Sequence, residues 1–154
     1  MMTLCCNVLK KLEGRTLVTA ESITGGGIGS ALTAVPGSSA VYKGGIISYC
    51  NDVKHYVLGV PLKMLAQYGA VSAPVAESMA AGARKALDAD VAVSVTGLAG
   101  PSGDEFGNPV GTVFIGFSDA SQTVSRKFLF SGDRDQVRRQ TVNAALGLVE
   151  ELAK

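Results

Sequence analysis

The chain has 154 residues, 47% hydrophobic and 18% charged, and carries a net charge of +1. That is enough apolar material for a full core and too little charge for a disordered chain, and with basic residues clustered only at Arg134, Arg138 and Arg139 it argues against stable nucleic-acid binding. No apolar run reaches the roughly 18 residues of a membrane span and no signal-peptide pattern opens the chain, so a single cytoplasmic domain over residues 1–154 is expected.

Taken in order, residues 3–13 place Leu4, Val8, Leu9 and Leu12 on one helical face and end at Gly14. The stretch LVTAESITGGG, Leu17 to Gly27, is the one the rest is organised around. Leu17–Ala20 reads as a short buried strand and Ile28, Leu32 and Val35 as a helical pattern, so Glu21 and Ser22 fall at a strand-to-helix junction. Orphan N–H groups and the helix dipole favour negative charge there, which suits a phosphate or a developing oxyanion. Gly25–Gly27 would each cost a helix about 1 kcal/mol relative to alanine. Close approach of a ligand or of another backbone would compensate for them. An ordinary Ser/Thr N-cap before a tightly packed helix accounts for the same residues without a ligand.

A helix over about 24–34 then stops at Pro36-Gly37, followed by a small-residue turn at Ser38 and Ser39. Residues 45–50 read as a second strand, with Asn51-Asp52 capping a short helix that carries Lys54 and His55. Pro61 opens a further helix to Tyr68, and Ser72-Ala73-Pro74 opens an alanine-rich one over about 73–87, whose small face at Ala80, Ala81 and Ala83 predicts close packing. Residues 90–95 form a third strand ending on Thr96-Gly97-Leu98-Ala99-Gly100-Pro101. The polar loop 102–109 is the expected mobile piece. Residues 110–117 and 124–130 read as an antiparallel hairpin, and Ser131-Gly132-Asp133 leads into a C-terminal helix.

Helices between the first three strands, followed by a hairpin, imply a three-layer α/β/α sandwich around a mixed, five-stranded sheet. Ligands bind such sheets beyond the carboxyl ends of parallel strands. Here those ends carry Ser22, Tyr49 and Thr96. Small-residue helix faces leave room for a homo-oligomer. The cysteines Cys5, Cys6 and Cys50 lack metal-ligand spacing and are expected to be buried, reduced thiols.

A serine nucleophile needs a base. The lone histidine, His55, follows Lys54 on one short helix, so only one of the two can face a given cleft. A buried lysine loses charge and can act as that base, with Tyr49 able to relay or orient the proton. A solvated Lys54, an edge Tyr49 and a capping His55 are the ordinary alternatives. Asp104 and Glu105 read as solvated loop residues, and Asp133-Arg134-Asp135 as a helix N-terminal device. No cluster resembles a metal site, and no cofactor is expected.

The ordered motifs TAESITGG, VPGSSAVYKGGIISYCNDVK, LGV, YGAVS, VTGLAGPSGDEFGNPVGTVF and FSGDRDQVRRQ resemble the C-terminal domain of the CinA (competence/damage-inducible) family, found alone in the PncC-type nicotinamide-nucleotide amidases. The resemblance runs from about Leu4 to Leu152 and points to the stand-alone form. It implies a CinA-like fold and hydrolysis of the carboxamide of nicotinamide mononucleotide, a small-molecule nucleotide, by a Ser/Lys mechanism. Ser22 would be the nucleophile and Lys54 the base, with Tyr49 assisting. Glu21, Thr24, Gly25, Gly26, Asn51, Thr96, Gly97 and Gly100 would face substrate, and Ser38, Ser39 or Arg134 would meet its 5′-phosphate. A non-catalytic nucleotide-binding or competence-associated module of the same fold is the rival. Family members commonly read ESCTGG, TYSN and GGSEEKPVG. This chain has Ile23 and Cys50 within the first two motifs and Asn108 in place of the lysine in the third.

Overall fold

Strands β1 (Leu17–Glu21), β2 (Tyr42–Ile47), β3 (Val91–Gly97), β4 (Thr112–Ser118) and β5 (Thr123–Leu129) form one sheet in the order β2-β1-β3-β4-β5. The computed structural model describes residues 1–154. β2, β1 and β3 run parallel, and the β4–β5 hairpin joins antiparallel to β3, which gives the expected mixed sheet. The helices are α1 (Met2–Lys11), α2 (Gly27–Thr33), α3 (Asn51–Tyr56), α4 (Leu62–Tyr68), α5 (Ala73–Ala86) and α6 (Arg134–Leu152). None is long and apolar enough to cross a membrane.

Strand alternation splits the core in two. Leu17, Val91, Val93, Val95, Ile115 and Phe117 face one side and pack with α1, α2 and α6. Val18, Ala20 and Ala92 face the other and pack with α4 and α5. The second face carries small residues because α5 sits low on it. Ser94 Oγ donates to the Ala76 carbonyl at 2.5 Å. A Cβ on Gly116 would stand 2.3 Å from that same carbonyl oxygen, and one on Gly82 only 1.9 Å from the Leu58 carbonyl. Of the small face expected on the alanine-rich helix, Ala80 and Ala83 are fully buried and Ala81 is half-buried.

Three boundaries move for physical reasons. β2 begins and ends earlier than the apolar run 45–50 suggests, because it is an edge strand of alternating burial whose pairing with β1 ends at Glu21–Ile47. α2 begins at Gly27 and not near Thr24, because Gly25 (φ +57°) and Gly26 (φ +105°) adopt left-handed conformations that belong to a turn. β3 runs on to Gly97 because β4 pairs with both Thr96 and Gly97. Within the loop expected to be mobile, Asp104 Oδ1 accepts from the Phe106 and Asn108 amides, each at 3.0 Å, and Oδ2 accepts from Asn108 Nδ2 at 2.8 Å. Cys5 is buried as expected, but Cys6 and Cys50 are exposed. The first sits on the outer side of α1, and the second stands at the N-cap position of α3 without a side-chain bond, so Asn51 and Asp52 begin that helix and do not cap it.

Candidate active site

Strands β1 and β2 finish level, and β3 runs two residues further beside them. The Ser48 amide donates to the Glu21 carbonyl at 2.8 Å and the Ser22 amide to the Val95 carbonyl at 3.1 Å, so the residues just past β1, β2 and β3 share one edge. Beyond that edge opens a cleft of about 290 Å³ lined by Ser22, Tyr49, Asn51, Lys54, Thr96, Gly97, Gly100 and Arg134, all of them expected from the sequence. Ile23, Ala70, Val71, Leu98, Ala99 and Ser102 complete its walls. The signal for Ala70 and Val71 lay in the motif YGAVS, whose residues carry no chemistry of their own.

Lys54 is only 1% exposed. The short helix α3 turns it inward, so that its Nζ lies 3.1 Å from Ser22 Oγ and donates to the Ser48 carbonyl at 2.7 Å. No carboxylate pairs with it. Burial therefore pulls the amine down to about 8, opposed in part by the Cys50 thiol. Near neutral pH a useful fraction of Lys54 is uncharged and able to accept a proton. His55 turns aside, its Nδ1 2.8 Å from the Val60 carbonyl, the end-of-helix role expected of it.

Other expectations are corrected. Glu21 does not face the cleft. It is 2% exposed and its oxygens accept from Thr24 Oγ1 at 2.6 Å, the Ile28 amide at 2.8 Å, the Gly29 amide at 3.0 Å and Thr19 Oγ1 at 3.1 Å. The anion that the start of α2 attracts is thus supplied by the chain itself. Thr24 opens into a separate cavity of about 250 Å³ between α2 and α6, and Gly25 and Gly26 form the turn and not the cleft wall. Ser38 and Ser39 sit in a 3₁₀ turn just before β2, which starts level with Leu17, at the opposite end of the sheet from Ser22. A loop that precedes a parallel strand cannot reach the strand's carboxyl edge. Tyr49 is 64% exposed at the rim, and its hydroxyl accepts from Arg134 at 3.1 Å without touching Lys54 or Ser22. Arg134 also donates to the Gly100 carbonyl at 2.6 Å. Asp133 and Gln136 form the capping box of α6, so the helix-start reading of that segment stands.

Because four donors converge on Glu21, Glu21→Ala should cost about 3 kcal/mol of stability, since it leaves buried N–H and O–H groups unpaired. Urea denaturation measures this. An unchanged midpoint would show that water satisfies those donors.

The profile of the CinA C-terminal domain matches residues 2–153. The chain belongs to the CinA C-terminal domain family. It is similar to the nicotinamide-nucleotide amidohydrolase PncC of Escherichia coli K12, with 48% identity over 137 residues, covering 88% of this chain and 83% of that one. It is likewise similar to the protein of the same name from Pseudomonas putida, with 50% identity over 135 residues, covering 87% and 84%. A CinA-like protein of Geobacter sp. M21 shares 46% identity over 143 residues, which is 93% of this chain but 34% of that protein. Among solved structures, a CinA superfamily protein of Escherichia coli superposes with a TM-score of 0.95 at 36% identity, covering 98% of this chain and 90% of that one. A competence/damage-inducible protein of Agrobacterium tumefaciens gives the same score and identity, covering 99% and 95%.

Of the departures from the usual CinA motifs, Ile23 and Cys50 border the Ser22–Lys54 pair without replacing either member, and Asn108 lies away from it. Ile23 packs in the cleft wall, where a Cβ on Gly97 would stand 3.1 Å from its Cδ1. Asn108 turns into its own loop and donates to the Val71 carbonyl at 3.2 Å. It lines neither the cleft nor the adjoining cavity beside Asp104 and Phe106.

Proposed function

We propose that this chain hydrolyses the carboxamide of nicotinamide mononucleotide to nicotinate mononucleotide and ammonia, with Ser22 as nucleophile and Lys54 as base. The observation that carries it is the 3.1 Å contact between Ser22 Oγ and a buried Lys54 Nζ inside a cleft. The names of the PncC relatives supply the substrate class.

Neutral Lys54 takes the Ser22 proton as Oγ attacks the amide carbon. The resulting oxyanion needs donors, and the turn after Ser22 provides them. The Ser22 carbonyl is held by the Gly25 amide at 3.1 Å, and the Ile23 and Thr24 amides have no acceptor in the chain. Protonated Lys54 gives its proton to the departing nitrogen, the carbon–nitrogen bond breaks to release ammonia, and the acyl group remains as an ester on Ser22 Oγ. Water, deprotonated by Lys54, then cleaves the ester to nicotinate mononucleotide and restores the hydroxyl. Arg134 stands at the rim with an exposed guanidinium suited to the 5′-phosphate.

The test is ammonia release by the purified protein supplied with nicotinamide mononucleotide. Binding without ammonia would instead establish a nucleotide-binding module. The rate carries a further signature. The active form of the base is the deprotonated one, so kcat/KM should rise roughly tenfold per pH unit on the acid side and level off above a midpoint near the Lys54 value of about 8. A profile flat through that range rules out a lysine base.

A further inference from the structure

One face of α6 packs against the turn that follows Ser22. Arg134, Arg138 and Val142 recur every four residues and so stand in a row about 6 Å apart. Arg134 reaches the rim, and Val142 fills the space where a Cβ on Gly27 would meet it at 3.1 Å. Between them, half-buried Arg138 donates Nε to the Ile23 carbonyl at 3.1 Å and Nη2 to the Thr24 carbonyl at 3.2 Å. Neither of the chain's two ion pairs includes Arg138. Its charge is spent on the backbone of the two residues that follow the nucleophile.

A trans peptide directs its C=O and N–H to opposite sides. With the Ser22 carbonyl held by Gly25 and the Ile23 carbonyl by Arg138, the Ile23 and Thr24 amides are turned away from those anchors and stay unbonded. We propose that Arg138 is a positioning residue: its guanidinium fork fixes the turn so that Ser22 Oγ meets Lys54 and the two amides remain free for the oxyanion. The inference rests on the amidase reading. Arginine suits the task because a planar fork grips two carbonyls in parallel, whereas the single ammonium of a lysine holds one well.

Arg138→Ala and Arg138→Lys, measured beside the wild type for melting temperature, kcat and KM, test this. The expected result is a folded Arg138→Ala protein whose kcat falls about 100-fold while KM stays within about threefold, because a misplaced nucleophile harms the transition state more than binding. Arg138→Lys should recover part of the loss. Free guanidinium should restore part of the Arg138→Ala rate and leave the wild type unchanged, since the cavity of about 250 Å³ that Arg138 lines gives it a way in. Full kcat in a folded variant overturns the proposal. So does a raised KM with intact kcat, which would make Arg138 a substrate contact, or a loss of activity that only follows loss of folded protein. A wild type that releases no ammonia sinks the amidase reading and this inference with it. A working wild type with fully active Arg138 variants sinks the positioning role alone.

Discussion

Ser22→Ala should reduce ammonia release from nicotinamide mononucleotide by about 10⁴-fold or more, to the level that binding alone sustains. The fold should not notice. Ser22 Oγ has Lys54 as its one hydrogen-bond partner in the chain, and the backbone bonds that anchor the residue, its amide to Val95 and its carbonyl to Gly25, do not involve the hydroxyl. The variant should melt within a few degrees of the wild type and retain nucleotide binding. If Ser22→Ala still turns over substrate at a substantial rate, water attacks the amide directly and the acyl-enzyme route is wrong.

Lys54→Met should lower kcat by about 10³-fold, in the range that loss of a general base produces, while the protein melts at or above the wild-type temperature. The two effects have one origin. Lys54 is held at 1% exposure with only a hydroxyl and a carbonyl as partners, so its charged form is destabilised in the folded chain. Methionine fills a similar volume without a charge to desolvate. Lys54→Arg should be as inactive as Lys54→Met, because a guanidinium does not release its proton at accessible pH. Activity in Lys54→Arg would show that Lys54 contributes charge and not a proton acceptor. Destabilisation of Lys54→Met would show that the buried amine is a structural tie between α3 and the end of β2.

How far the sequence reached differs from one element to the next. Strand and helix types followed from periodicity because each core face repeats faithfully: Leu17, Val91, Val93 and Val95 point one way, and Val18, Ala20 and Ala92 the other. The ends of elements were less legible, since pairing partners set them. β3 extends to Gly97 only because β4 lies beside it, and Gly25 and Gly26 leave α2 only because the chain must turn past Ser22. Arg138 was readable in principle as the residue four after Arg134 on an amphipathic helix, but spacing shows a shared face and not what that face meets.

The sheet's mixed character, the strand-to-helix junction carrying Ser22 and the polar residues gathered at strand ends were all readable along the chain, because they depend on local periodicity and on residue type. Folding in three dimensions was needed to bury Lys54 against Ser22, to turn Glu21 to the start of α2 and away from a ligand, and to set Ser38 and Ser39 at the far end of the sheet. Each of these turns on which side chain loses water to which neighbour. That is settled by contacts between segments dozens of residues apart, which no single segment encodes.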